Sequence, residues 1–125
     1  EYKNFKSKKI KLIVQIEHID AINNLSEIIS VDGVDGTFIG PYDLSGSLGK
    51  PGDYNSTEVK KALREYEKIV MNHQKFVGFH VINPDYKLVI DKINNGYNFI
   101  GFSLDTIFLG SIIRDELKKI KSHIK

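Results

Sequence analysis

Residues 76–96 read FVGFHVINPDYKLVIDKINNG, and a further apolar run opens at Phe99. From Phe76 to Ile82, Val77, Phe79 and Val81 alternate with Phe76, Gly78 and His80, which is the period of a strand. Asn83 then stands as an N-cap and Pro84 at the first helical position. Tyr86, Val89, Ile90 and Ile93 recur at helical spacing until Asn95-Gly96. Strand, helix and strand in succession make a βαβ unit, and the two strands of such a unit are parallel.

The same pattern extends in both directions. Lys11 to Glu17 and Gly36 to Ile39 read as earlier strands, and Phe99 to Leu104 as a fourth. Ile22, Leu25, Ile28 and Ile29 mark the helix after the first. After the second comes a Gly/Ser/Pro-rich loop, Gly40 to Asn55, and then an amphipathic helix carrying Val59, Ala62, Leu63, Tyr66, Ile69 and Val70. Asn55 and Glu58 have the spacing of a capping box at its start. A terminal helix from Ile107 carries Leu109, Ile112, Ile113, Leu117, Ile120 and Ile124 as its stripe. The expected fold is therefore α/β, four βα units with parallel strands. Residues 1–10 form a lead-in, 11–106 the units and 107–125 the terminal helix, with no internal domain boundary.

Composition sets the class. The 125 residues are 41% hydrophobic and 27% charged, enough for one domain to bury a core without staples. With no cysteine, disulfides, zinc fingers and thiol nucleophiles are excluded, and a cytoplasmic location is expected. A net charge of +2 makes no case for nucleic acid or an anionic membrane, and the basic run Lys6 to Lys11 reads as a solvated lead-in. No apolar stretch is long enough to span a bilayer. Because the chain opens on Glu1 and its single methionine is Met71, a fragment or processed product is expected.

Strand parity points to the functional end. Leu12, Val14 and Ile16, then Val77, Phe79 and Val81, then Ile100, Phe102 and Leu104 are wholly apolar sets suited to packing under helices. The opposite sets turn polar toward the carboxyl ends of their strands, where parallel α/β folds place ligands. Glu17, Asp43, His80 and Asp105 would meet on that rim, with Gln15 beneath. Each could also be a helix cap or a solvent-facing group.

The segment Phe38-Ile39-Gly40-Pro41-Tyr42-Asp43-Leu44-Ser45-Gly46-Ser47-Leu48-Gly49 has no Walker spacing, since Leu44 and Pro51 stand where that motif needs glycine and a hydroxyl. Together with Gln15-Ile16-Glu17 and Val34-Asp35-Gly36 it resembles the HpcH/HpaI aldolase family, metal-dependent class II pyruvate aldolases that cleave 4-hydroxy-2-oxo acids to pyruvate and an aldehyde. The likeness runs along the whole chain but covers only the C-terminal half of the family's TIM (βα)₈ barrel. Half a barrel is thus the fold it implies.

Residue by residue, the resemblance implies that Glu17 and Asp43 are carboxylate ligands of Mg²⁺ or Mn²⁺. Gln15 would stand beside the pyruvyl group, and the amides of Tyr42 and Asp43 in the Gly40-Pro41 turn would hold its carboxylate. His80 departs from the apolar residue expected at its substrate-lining position. Contact with the aldehyde half of the substrate and a structural hydrogen bond are both open to it. Asp105 resembles a motif aspartate with a structural role. The family's clamping arginine and histidine base have no match: Arg64 and Arg114 fall on helices, His18 faces away by parity, and His73 and His123 lie at helix ends.

The expected function is accordingly carbon–carbon lyase chemistry that this chain alone does not complete. The alternative is a non-catalytic half-barrel acting as a binding or assembly module. Either implies a partner, the other half of a barrel or a second copy, because the first and fourth strands would leave open edges. Helices that end barrels of this family exchange between subunits, a course open to residues 107–125. A Schiff-base aldolase would need a desolvated lysine at the rim, and Lys50 is the only loop lysine near it.

Overall fold

A computed structural model describes residues 10–124, so the basic lead-in of residues 1–10 falls, all but Ile10, outside the described residues. The described residues form β1 (Ile13–Ile16), α1 (Ile19–Asn23), α2 (Leu25–Ser30), β2 (Gly36–Ile39), α3 (Pro41–Ser47), α4 (Thr57–Val70), β3 (Phe76–Val81), α5 (Tyr86–Asn94), β4 (Phe99–Phe102) and α6 (Asp105–His123). The strands form one sheet in the order β1-β2-β3-β4, each parallel to the next. The expected class and order are those observed; β2 has the expected bounds, and the other three strands are shorter than their apolar runs by one to three residues.

Parity decides which face is covered. Ile16, Ile39, Val77, Phe79 and Val81 point into a core closed by Ile22, Leu25 and Ile29 of α1 and α2, Leu44 of α3, and Ala62, Tyr66 and Val70 of α4. Burying such a side chain contributes about 1.5–3 kcal/mol relative to leaving it exposed. One polar pair lies inside this layer. The Thr37 hydroxyl is 2.8 Å from that of Tyr66, which donates to the Gly78 carbonyl at 3.2 Å, so neither buried oxygen is left without a partner.

The opposite face carries aromatics. Phe38 packs edge-on against Phe99 with ring centroids 5.6 Å apart, and its ring lies across two strands. A Cβ at Gly78 would sit 2.5 Å from Phe38 Cδ2, and one at Gly101 2.8 Å from its Cζ. Both glycines are therefore required by close approach.

Three local expectations are corrected. The Gly40–Asn55 segment is not all loop: α3 begins on Pro41 with Gly40 as N-cap, proline being tolerated at a first-turn position that needs no N–H. Its composition hides this, but Leu44 and Ser45 are fully buried, and Ser45 Oγ receives the Gly52 N–H at 2.8 Å. The cap of α4 is Ser56, accepting from Val59 N–H, rather than Asn55 with Glu58. Asp53 Oδ1 meanwhile collects the N–H groups of Asn55 and Ser56. The cap of α5 is Asp85, accepting from Lys87 N–H at 2.9 Å, which leaves Asn83 and Pro84 outside the helix. Proline disfavours helical geometry in the residue before it, so the chain enters α5 later.

The apolar set of β4 departs from expectation, and the stripe of α6 is not covered by its own sheet. Ile100 packs on the core, but Phe102 and Leu104 are exposed, as are Leu109, Ile112, Ile113, Leu117, Ile120 and Ile124. No residue of α5 or α6 is fully buried among the described residues.

Candidate functional site at the carboxyl end of the sheet

Glu17 follows the last residue of β1 and Asp43 lies in the first turn of α3, so the short β2–α3 connection through Gly40 brings both to one rim. Gly40 is buried between them. A Cβ there would lie 3.1 Å from Glu17 Cγ and Oε1 and 3.5 Å from Gln15 Nε2. The Gln15 amide donates to Glu17 Oε1 at 2.7 Å. The β1–α1 turn is held against α3 by Ser47 Oγ, which accepts the Ile19 N–H at 3.1 Å. Sequence reading missed that serine, whose role depends on a contact 28 residues away.

Burial, and then the Asp43 carboxylate beside it, push the Glu17 carboxyl above its ordinary value. Two carboxylates held side by side repel one another unless a proton or a cation lies between them. Tyr54 also belongs to this corner: burial first, then the proximity of Tyr42 and Asp43, raises its phenol. Pro41, Tyr54 and His80 border a cavity of about 330 Å³ that runs down between α4 and α5.

The other expected rim groups are engaged differently. His80 is half-buried, its ring 6.0 Å from that of Phe38, with Nε2 3.3 Å from the Ser103 carbonyl. Asp105 opens α6 and accepts the Thr106 N–H at 2.7 Å, a helix-terminal role. The structure thus joins Gln15, Glu17 and Asp43 and places His80 and Asp105 in contacts of their own. His18 caps α1, accepting from Asp20 N–H, and Arg64 and Arg114 lie on α4 and α6. Lys50 is exposed, which removes the desolvation a Schiff-base lysine needs.

The Gly40 turn also presents the amides of Tyr42 and Asp43, which as first-turn groups have no intrahelical acceptor. Among the described residues no cluster of three or more His, Cys, Asp or Glu side chains is assembled. Two neighbouring carboxylates are hard oxygen donors, the donor type that suits Mg²⁺ or Mn²⁺, ions that keep water and substrate oxygens in their shells. The charge of Asp43, which adds to burial in raising Glu17, is what a divalent cation balances, so the residues present fit such an ion. Among the described residues no helix is long and apolar enough to cross a membrane.

Comparison with known proteins gives a consistent result. A family profile described as HpcH/HpaI aldolase/citrate lyase matches residues 2–109. The chain is 34% identical over 88 residues to a 2-keto-3-deoxy-L-rhamnonate aldolase of Shigella dysenteriae serotype 1 (strain Sd197), covering 70% of this chain and 32% of that protein. The crystal structure of an HpcH/HpaI aldolase from Desulfitobacterium hafniense DCB-2 superposes with a TM-score of 0.85 at 25% identity, over 96% of this chain and 46% of that one. An HpcH/HpaI aldolase/citrate lyase family protein from Burkholderia cenocepacia J2315 gives 0.82 at 27% identity, over 90% and 43%. The matched region spans less than half the length of each of these proteins.

Proposed function

The chain belongs to the HpcH/HpaI aldolase/citrate lyase family, and on that premise we propose that it is the metal-holding part of a carbon–carbon lyase. The reaction is aldol cleavage and condensation of 4-hydroxy-2-oxo acids, giving pyruvate and an aldehyde. The observation that carries the proposal is the Glu17–Asp43 carboxylate pair, braced by Gln15 at the open end of a parallel sheet. A relative is named for a 2-keto-3-deoxy acid, which has this same 4-hydroxy-2-oxo arrangement.

In cleavage, the C4 hydroxyl proton leaves to a base, the C3–C4 bond breaks, and its electron pair passes to the pyruvyl fragment as an enolate. That enolate then takes a proton at C3 to give pyruvate. Glu17 and Asp43 would hold a divalent cation, which when bound supplies Lewis-acid stabilisation of the charge on the keto oxygen. Gln15 positions the pyruvyl group with its amide, and the backbone amides of Tyr42 and Asp43, in the turn formed by Gly40 and Pro41, orient the carboxylate. His80 borders the aldehyde side.

The proton-accepting base and the carboxylate-binding arginine have no counterpart among the rim residues described. The proposal therefore requires further strands, from the remainder of a barrel or from a partner, to bring them. The 125-residue chain alone is expected to bind Mn²⁺ without cleaving substrate.

The test is metal-dependent exchange of the methyl protons of pyruvate by the closed barrel, followed by NMR in heavy water. Glu17→Ala and Asp43→Ala are each expected to abolish exchange while the circular dichroism spectrum is kept. Full exchange in either variant overturns the ligand assignment.

A further inference from the structure

Resting on the aldolase reading, we propose that His80 is a specificity residue that selects aldehydes carrying a hydroxyl group next to the carbonyl. Gln15 pairs with Phe38, Phe38 with Gly78, and His80 with Gly101. The ladder continues one step beyond β2, since the Gly40 N–H bonds the Ile16 carbonyl at 3.0 Å. Glu17, Gly40, His80 and Gly101 therefore form one row across the sheet, on the face that carries Gln15 and Phe38.

Adjacent strands lie about 4.8 Å apart, so His80 stands roughly 10 Å from Glu17 along that row. Gly40, the residue between them, has no side chain, which leaves the path clear. A keto acid held at Glu17 and Asp43 with its aldehyde-derived end over Gly40 would reach His80.

The chemistry of the ring follows from its contact. The Ser103 carbonyl can only accept, so of the two neutral tautomers the contact selects the one with the hydrogen on Nε2, 3.3 Å away, and Nδ1 free to accept. Among the described residues Nδ1 has no hydrogen-bond partner. A hydroxyl donates to it, whereas a carboxylate or an alkyl group cannot. Two groups fix the orientation of the ring. Phe38 packs against it, and Ser103 turns its carbonyl from a left-handed backbone conformation, φ 58°, that a side chain rarely adopts. Ser103 is a positioning residue, its own buried hydroxyl lacking a partner among the described residues.

The test uses the closed, metal-loaded barrel and two aldehydes of nearly equal size, glycolaldehyde and propanal, condensed with pyruvate. Each variant is read as the ratio of kcat/KM for the two, so a general loss of activity cancels. The wild type is expected to favour glycolaldehyde by about tenfold or more, the discrimination of one hydrogen bond to a site otherwise left unpaired. His80→Leu is expected to bring the ratio near one, and His80→Gln, which keeps an acceptor, to retain most of it. A wild-type ratio near one overturns the proposal without any variant, and so does an unchanged ratio in His80→Leu. Failure of the aldolase reading is seen separately, as absence of metal-dependent pyruvate exchange in the wild type before any aldehyde is added.

Discussion

The layer formed by β1–β3 with α1, α2, α3 and α4 and the end of the chain formed by β4 and α6 are built from equally apolar sequence, yet they differ in burial. Leu25, Ile29, Ile39, Leu44, Val59, Tyr66 and Val70 are fully buried, whereas Phe102 is 42% exposed and Ile112 61%. Hydrophobicity is satisfied locally in the first region and left open in the second. The first region therefore sets the stability of the chain, and the second is surface to be covered. Exchange of residues 107–125 with another subunit, together with closure of the sheet edges, is the cover we propose.

The largest effect that separates the two regions is expected from cavity formation. Leu25→Ala should lower the free energy of urea unfolding by about 2–5 kcal/mol, while Ile113→Ala in the isolated chain should stay within about 0.5 kcal/mol. Equal losses would show that α6 packs on its own sheet. Mn²⁺ at a hundredfold excess over its dissociation constant should stabilise the chain by about 2.7 kcal/mol through mass action, an effect that Asp43→Asn removes. A smaller change is expected at the polar pair. Tyr66→Phe should cost about 1–3 kcal/mol by leaving the Thr37 hydroxyl and the Gly78 carbonyl short of a partner, and adding Thr37→Val should recover part of that.

The same tyrosine gives the packed layer an alkaline limit. Burial pushes Tyr66 from an ordinary value of 10.0 up to about 12. The folded state therefore holds its proton more tightly, a contribution fully present below about pH 10 and lost as pH rises toward 12. Unfolding followed by far-ultraviolet circular dichroism from pH 9 to 12 should show the midpoint of denaturation falling in that window, with the fall reduced in Tyr66→Phe. The smallest expected effect lies at the open end. Ser103→Gly removes a strained φ and a partnerless hydroxyl and should stabilise by about 1 kcal/mol in thermal unfolding.

Much of the covered region was legible because strand period and helix period agree with what is buried. Alternation alone puts Val77, Phe79 and Val81 in the core, and helical spacing does the same for Val59, Ala62, Tyr66 and Val70. Where reading failed, the determining contact was tertiary. Nothing local in Pro41-Tyr42-Asp43-Leu44-Ser45-Gly46-Ser47 outweighs its glycine and serine content, and the helix there rests on burial of Leu44 and on Ser45 tying down Gly52. The caps lie one or two residues beyond the expected ones because Asn55, Ser56, Asn83 and Asp85 are all competent acceptors, and backbone geometry chooses among them. Glu17 and Asp43 are 26 residues apart, so their meeting was legible only through family likeness and the rule that ligands bind at the carboxyl ends of parallel strands. The state of His80 depended on the Ser103 carbonyl, which no side-chain pattern reports.

Strand order in this sheet equals chain order, β1-β2-β3-β4. Each strand emerging during synthesis therefore finds a completed edge to dock on, and no strand must be inserted between two others. Assembly can proceed in the direction of translation, at the pace of the ribosome, with β1–β3 and their helices closing first. Among the described strands β4 is made last, and its outer edge is still open once β1–β3 and their helices have packed.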